Sequence, residues 1–145
     1  MSNVKKIILK AREQNRKALF EHEAKDLLSL VGLPTTNYRV VSDREGAIEA
    51  AHEIGFPVVL KILSPQVLHK SDAGGVALDI GDDDELITSY DLIVDRVKEK
   101  VPEAEIHGVL VEEMASPSVE VIVGATRDPQ FGPTVMFGVG GILTE

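Results

Sequence analysis

Hydrophobic residues recur at helical spacing in four segments of the chain, with polar residues between them. Such a period predicts helices that pack one face against a core. The four segments begin near Val4, His22, Ser42 and Asp82. Ser42 and Glu45 have the spacing of a capping box at the start of the third helix. Asp82, Asp83 and Asp84 are expected to stabilise the positive end of the last helix, rather than to bind a metal.

Six shorter apolar segments predict β-strands: NYRVV, FPVVLKIL, GVALDI, IHGVLVEEM, SVEVIVGAT and TVMFGV. The early strands alternate with the helices, which indicates an α/β fold. The last two strands follow each other across the turn RDPQFGP, so we expect an antiparallel hairpin there. Pro117, between two serines, is a candidate hinge between two subdomains.

The composition narrows the class of protein. A length of 145 residues fits one domain or two small subdomains. There are 24 acidic and 15 basic residues, and the formal net charge of −9 repels nucleic-acid phosphates, so nucleic acid is not an expected partner. The absence of cysteine excludes disulfides and thiolate metal sites. With no signal peptide and no apolar run that could cross a bilayer, a cytoplasmic protein without a membrane partner is expected.

Lys61 interrupts the apolar strand FPVVLKIL and is the first candidate for chemistry. Strand alternation places Lys61 on the face of Val59 and Leu63. A buried lysine is costly unless an anion compensates its charge, so this position predicts an anion site. An edge strand whose lysine faces water explains the pattern equally well.

The segment VLHKSDAGGV places four polar side chains before two glycines, between two predicted strands. Gly74 and Gly75 allow successive N–H groups to point at an anion, and Lys70 and Ser71 can add donors. His69 is a candidate nucleophile or acid–base group. A flexible hairpin tip with a solvated histidine is the simpler reading of the same residues.

The segment VLVEEMASPSVEVIVG suggests a second contact region for a nucleotide. Backbone groups around Glu112 and Met114 can meet the edge of an adenine ring, and the Glu120 carboxylate can accept hydrogen bonds from ribose hydroxyls. From pattern alone, a solvent-facing strand residue is the better supported interpretation of Glu120. The chain contains neither GxxxxGK[ST] nor a GxGxxG that follows a strand, so a nucleotide site must use another architecture.

Seven segments, taken in order, resemble one known family. They are EHEAKDLL with VGLP, FPVVLK, LHKSDAGGV, GVLVEEM, EVIVG, TRDPQFGP and FGVGGI. Together they resemble the ATP-grasp beta subunit, or fused beta region, of ADP-forming acetyl-CoA synthetases, which are NDP-forming acyl-CoA synthetases related to succinyl-CoA synthetase. The resemblance runs from about Leu19 to Glu145.

The resemblance implies a reaction and a partner. Acetyl-CoA, ADP and phosphate give acetate, CoA and ATP, reversibly. An alpha subunit carries the CoA and acyl site and a histidine that becomes phosphorylated, and the phosphoryl group then passes to ADP in the ATP-grasp domain. The implied ligands are ATP or ADP and Mg²⁺.

The resemblance also implies roles for single residues. Lys61 corresponds to the lysine that contacts the nucleotide phosphates, and His69 to a histidine implicated as a second phosphoryl carrier. The other implied contacts are the glycine loop of Ser71, Gly74 and Gly75, the adenine-contacting Glu112 and Met114, and the ribose acceptor Glu120.

The family pattern continues beyond Glu145, and this departure shapes the expected organisation. We expect an N-terminal helical extension over residues 1–18, a complete first ATP-grasp subdomain over 19–114 and an incomplete second subdomain over 115–145. The magnesium ligands are expected outside this chain. The chain by itself is therefore expected to have little or no activity.

Two other functions fit parts of the sequence. One is a non-catalytic, ligand-sensing acyl-CoA synthetase-like region, which we expect to lose Lys61 or His69, although both are present here. The other is an ATP-grasp ligase that makes an acyl phosphate directly and needs no histidine carrier. The sequence leaves open the acyl group, the choice between ADP and GDP, the oligomeric state, and whether the chain ends naturally at Glu145.

Overall fold

The computed structural model describes residues 3–140, which form two compact units joined between Met114 and Ala115. The helices and strands of the first unit are α1 (Asn3–Glu13), α2 (Glu21–Leu30), β1 (Tyr38–Val41), α3 (Arg44–Ile54), β2 (Val58–Leu63), β3 (Val76–Ile80), α4 (Asp83–Lys100) and β4 (Gly108–Glu113). The second unit contains β5 (Val121–Asp128) and β6 (Gly132–Val139). The predicted α/β class is confirmed.

The first unit is built on a four-stranded antiparallel sheet in the order β1-β4-β2-β3. β2 and β4 lie at its centre and are largely buried on both faces, as expected for strands that are covered on both sides. One face packs against α3 and α4 in a core that includes Ala47 and Ala51 of α3, Leu86, Ile93 and Val97 of α4, and Leu60 and Ile62 of β2. Alternation along the strands therefore places Lys61 and Glu112 on the opposite face.

Two of the helices begin at aspartate caps. The Asp82 carboxylate accepts a hydrogen bond from the Glu85 N–H at 2.9 Å, so the capping role predicted for this acidic cluster is confirmed. The prediction for α3 is wrong, because Asp43 rather than Ser42 is the cap. The Asp43 carboxylate accepts from the Gly46 N–H at 2.8 Å, while the Ser42 hydroxyl donates to Asp43.

The second unit confirms the predicted hairpin. β5 and β6 pair antiparallel, from Val121 opposite Val139 to Asp128 opposite Gly132. In the turn, the Asp128 carboxylate accepts from the N–H groups of Gln130 and Phe131, at 2.8 and 2.9 Å. Asx geometry of this kind stabilises a tight connection between two strands. Within residues 3–140, no helix has the length and hydropathy needed to cross a bilayer.

Candidate functional site

Lys61 lies in the middle of the sheet, because β2 pairs with β4 on one side and β3 on the other. The edge-strand explanation for this lysine is therefore wrong. Its ammonium group forms two ion pairs, with Glu112 and with Glu21, both at 2.7 Å. The side chain is only 23% exposed. A charge in this position requires compensation, and two carboxylates supply it.

Glu112 is the buried centre of this network. Its side chain is 7% exposed and contacts Lys61, the Lys25 ammonium group at 2.5 Å, and the Thr36 hydroxyl, which donates to it. The sequence suggested a backbone contact to adenine at this residue. The Glu112 side chain is directed toward Lys25 and Lys61, and the backbone contact to adenine stays a prediction.

The network sets the protonation of its members. Burial raises the pKa of Glu112, but hydrogen bonds from Lys25, Lys61 and Thr36 outweigh it and lower that pKa to about 2. Burial likewise lowers the pKa of Lys61, and hydrogen bonds to Glu112 and Glu21 outweigh this and raise it. Glu112 is therefore an anion and Lys61 a cation at neutral pH.

The network ends at an open cleft of about 380 Å³. Glu21 and Lys70 stand at its rim, and the Glu21 carboxylate lies 3.4 Å from the Lys70 ammonium group. The cleft is lined by Glu21, Lys61, Leu68, His69, Lys70, Ser71, Asp72 and Val76. The fold thus brings together three residues that the sequence singled out separately, Lys61, His69 and Ser71.

A larger cavity of about 740 Å³ shares Glu21, Leu68 and Lys70 with this cleft. Its remaining lining comes mainly from residues 14–20 and 64–67. It contains neither Lys61, His69 nor Ser71, so the smaller cleft is the candidate site.

The two glycines of the loop do not form the predicted anion nest. The Gly74 N–H donates to the Ser71 carbonyl at 3.0 Å, and the Gly75 N–H donates to the Lys70 carbonyl at 2.8 Å. The two glycines instead allow the loop to pack closely against neighbouring side chains. Gly74 has a φ of +73°, and a Cβ atom on it would lie 3.1 Å from Arg96. A Cβ atom on Gly75 would lie 3.0 Å from Val97 of α4 and 3.3 Å from Ile62 of β2.

Of the other residues predicted for the base and ribose, Met114 belongs to the first unit and Glu120 to the second. The Met114 N–H donates to the Pro57 carbonyl at 3.2 Å, so that donor is already used within the first unit. Glu120 is an exposed residue of the second unit that precedes β5 rather than lying in it. Its carbonyl accepts from the Gly140 N–H at 2.8 Å. Nucleotide contacts at Met114 and Glu120 stay predictions.

Sequence reasoning missed Glu21, Lys25 and Thr36 as parts of the site. One signal was present, because Glu21 and Lys25 are four residues apart in EHEAK and so lie on one face of α2. The same spacing is also typical of the solvent-facing side of an amphipathic helix, so it does not by itself indicate a site. Thr36 lies in a polar connection without a distinguishing pattern, and only the fold brings it to Glu112.

Comparisons with known proteins give the site a context. Residues 10–145 match the sequence profile of a family described as ATP-grasp domain. The chain is 46% identical over 145 residues to a protein named acetate–CoA ligase [ADP-forming] I subunit beta, from Pyrococcus furiosus. All of this chain is covered by that match, and 62% of the relative.

Two solved structures are similar as well, both of a dinucleotide-forming acetyl-coenzyme A synthetase 1 from Candidatus Korarchaeum cryptofilum. One holds coenzyme A, Ca-AMPCP and HgCl⁺, and is 54% identical with a TM-score of 0.93. The other holds coenzyme A and Mg-AMPPCP, with its phosphohistidine segment pointing towards the nucleotide-binding site, and is 48% identical with a TM-score of 0.78. Each covers 97% of this chain, and this chain covers 61% and 59% of them. The chain thus spans about three fifths of the length of these proteins.

The packing explanation for the glycine pair predicts a stability effect. Gly75→Ala should lower the free energy of unfolding by about 1–3 kcal/mol, because the new methyl group enters a space already filled by Val97 and Ile62. Gly81→Ala is the matched control, since its Cβ atom would make only an ordinary contact with Glu85. Urea unfolding of the three proteins measures the difference. An unchanged midpoint for Gly75→Ala would contradict the packing role.

The low pKa of Glu112 predicts acid sensitivity. A carboxylate whose folded-state pKa lies below its unfolded value stabilises the fold above the unfolded pKa, near 4.5, and this stabilisation is lost as the pH falls toward 2. Its magnitude is on the order of 3 kcal/mol. Glu112→Gln should therefore be less stable than the wild type at pH 7, and the difference should shrink toward pH 2.

The measurement is urea unfolding at several pH values between 7 and 2. Glu113→Gln is the control, because the Glu113 carboxylate accepts hydrogen bonds from Asn37 rather than from the lysines. A difference between wild type and Glu112→Gln that stays constant down to pH 2 would show that Glu112 is not the titrating group.

Proposed function

The chain belongs to the ATP-grasp family, and we propose that it supplies the phosphate-binding part of an ADP-forming acyl-CoA synthetase. The proposed reaction converts acetyl-CoA, ADP and phosphate into acetate, CoA and ATP. The main observation in support is the cleft in which Lys61 and Lys70 converge on one carboxylate beside His69. In a chain with a net charge of −9, this is a local concentration of cationic groups that suits a phosphate.

In the proposal, Lys61 neutralises charge on the nucleotide phosphates. Phosphoryl transfer depends chiefly on alignment and on compensation of phosphate charge, so a fixed ammonium group is the main contribution expected from the protein. Lys61 is held on the central strand β2 and its ammonium position is fixed by Glu112. The loop residues Lys70 and Ser71 would add donors from the other side of the cleft.

His69 is proposed to carry the phosphoryl group between two sites. An alpha subunit would hold the CoA and acyl groups and a phosphorylated histidine. The His69 imidazole nitrogen attacks that phosphorus, the P–N bond to the partner histidine breaks, and ADP then takes the phosphoryl group from His69 to form ATP. The exposure of His69 at the cleft mouth supports this role, because a carrier must be reached by both donor and acceptor.

Magnesium is expected to enter with the nucleotide. Among residues 3–140 there is no group of three or more His, Asp or Glu side chains placed to hold a metal ion. Two carboxylate residues line the cleft, Glu21 and Asp72, and the Glu21 carboxylate is bound to Lys61. We propose that the magnesium ligands lie elsewhere in the assembled enzyme.

The proposal keeps the subdomain boundaries expected from the sequence, with a helical extension over residues 1–18, a first subdomain over 19–114 and the start of a second from 115. Ser71, Gly74 and Gly75 are proposed to shape the loop over the phosphates. Glu112 and Met114 would contact the adenine, and Glu120 would accept from the ribose. The proposed location is the cytoplasm.

A binding experiment tests the phosphate role of Lys61. Lys61→Ala should abolish ADP binding by the chain, measured by calorimetry with and without magnesium, because the central ammonium group is lost. Lys98→Ala is the control for net charge, since Lys98 lies in the last turn of α4 and not in the cleft. Equal ADP binding by wild type and Lys61→Ala would contradict the proposal.

A second experiment tests His69 as the carrier. In the assembled enzyme, His69→Ala should abolish ATP formation from acetyl-CoA. It should also abolish transfer of a radiolabelled phosphoryl group from a phosphorylated alpha subunit to this chain. His52→Ala is the matched control, because His52 pairs with Asp83 on the surface of α3 and α4. Turnover that survives in His69→Ala would favour a ligase that needs no histidine carrier.

A further inference from the structure

Glu21 occupies the space between the two cationic groups that face the cleft. One oxygen of its carboxylate lies 2.7 Å from the Lys61 ammonium group, and the other lies 3.4 Å from that of Lys70. A phosphate bound between two lysines would make the same arrangement, with one oxygen directed at each ammonium group.

The two carboxylates of the network differ in how firmly they are held. Glu112 is 7% exposed and contacts Lys25, Lys61 and Thr36, so its removal would take from Lys25 the carboxylate that balances its charge. Glu21 is 25% exposed and stands at the open end. It is therefore the carboxylate that can leave its lysines at the smaller cost.

The backbone beneath Glu21 is fixed independently of its side chain. The Phe20 N–H donates to the Glu23 carboxylate at 2.9 Å, and Arg16 donates two hydrogen bonds to the same carboxylate, at 2.8 and 2.7 Å. These contacts hold the start of α2 without the help of Glu21. Rotation about the side-chain bonds of Glu21 alone can thus open the position between the lysines.

We propose that Glu21 is a displaceable counter-ion, which neutralises Lys61 and Lys70 until a phosphate group of the ligand takes its place. This inference rests on the proposed function, because it assumes that a phosphate enters the cleft. The tethered carboxylate competes with every incoming anion. Singly charged anions gain little by replacing it, whereas a polyphosphate carries more charge and can engage both lysines. Glu21 therefore favours ligands with a polyphosphate group over small anions.

The same contacts admit an opposite role, in which Glu21 orients Lys61 for the ligand and so strengthens binding. Replacing the carboxylate by an amide of the same shape separates the two. If Glu21 competes, Glu21→Gln should bind ADP about fivefold more tightly than wild type, because an ion pair no longer has to be broken. If Glu21 orients Lys61, the variant should bind more weakly.

The experiment is calorimetric titration of the whole chain with ADP, with tripolyphosphate and with inorganic phosphate. The matched control is Glu105→Gln, which changes the net charge equally at a residue that is 77% exposed and lies outside the lysine cleft. Glu21→Gln should gain affinity for all three ligands, most clearly for inorganic phosphate, and Glu105→Gln should behave as wild type. Binding by Glu21→Gln that is equal to or weaker than that of wild type overturns the inference.

Two further measurements keep the result interpretable. Lys61→Ala tests the phosphate site itself. If Lys61→Ala loses ADP binding and Glu21→Gln gains none, only the proposed role of Glu21 is contradicted. If neither the wild type nor Glu21→Gln binds ADP, both the proposed phosphate site and the proposed displacement of Glu21 are contradicted. If Glu21→Gln does not fold, as judged by thermal unfolding, Glu21→Asp replaces it. That shorter carboxylate cannot bridge both lysines, so it too should bind ADP more tightly than wild type.

Discussion

The ammonium group of Lys61 on the central strand β2 is the constraint on which the site depends. A lysine between two hydrogen-bonded neighbouring strands cannot turn to bulk water as an edge lysine can. Its charge must be balanced where it stands, and Glu112 on the adjacent strand β4 provides the first partner. Because Glu112 also serves Lys25, one buried carboxylate is shared by two cations. Glu21, at the exposed end of the network, provides the second carboxylate that neutralises Lys61.

This sharing allows a chain that is acidic overall to present cationic groups at one cleft. The long-range field of a protein follows its net charge, but a cleft responds to the groups within a few ångströms of it. Here three ammonium groups, of Lys25, Lys61 and Lys70, are interleaved with two carboxylates, and the open end of the series faces the cleft. Burial keeps Glu112 fixed in place, so Glu21, at the open end, is the carboxylate free to rearrange.

Much of the fold could be predicted from the sequence, because its elements have strong local signals. The apolar period of α4, the aspartate cap at Asp82 and the turn between β5 and β6 all act over a few residues. The order of the strands lacks such a signal. Both an edge and a central strand can carry a lysine at the position of Lys61, and only the pairing of β2 with two neighbours decides between them.

The candidate site was predictable in its residue types but not in its connections. Lys61 stands out because it interrupts an apolar strand, and His69 because it lies in a polar segment before two glycines. Glu21 and Lys25 instead fit the polar face of a helix, which is a common pattern. The glycine pair shows the converse, since Gly74 and Gly75 match a ligand-binding pattern but are required by the close approach of α4. A charged residue that appears ordinary in sequence acquires a role when the fold gives it a buried partner of opposite sign. Glu21 meets that condition because the start of α2 is fixed beside Lys61 by Arg16 and Glu23, which are themselves a buried ion pair.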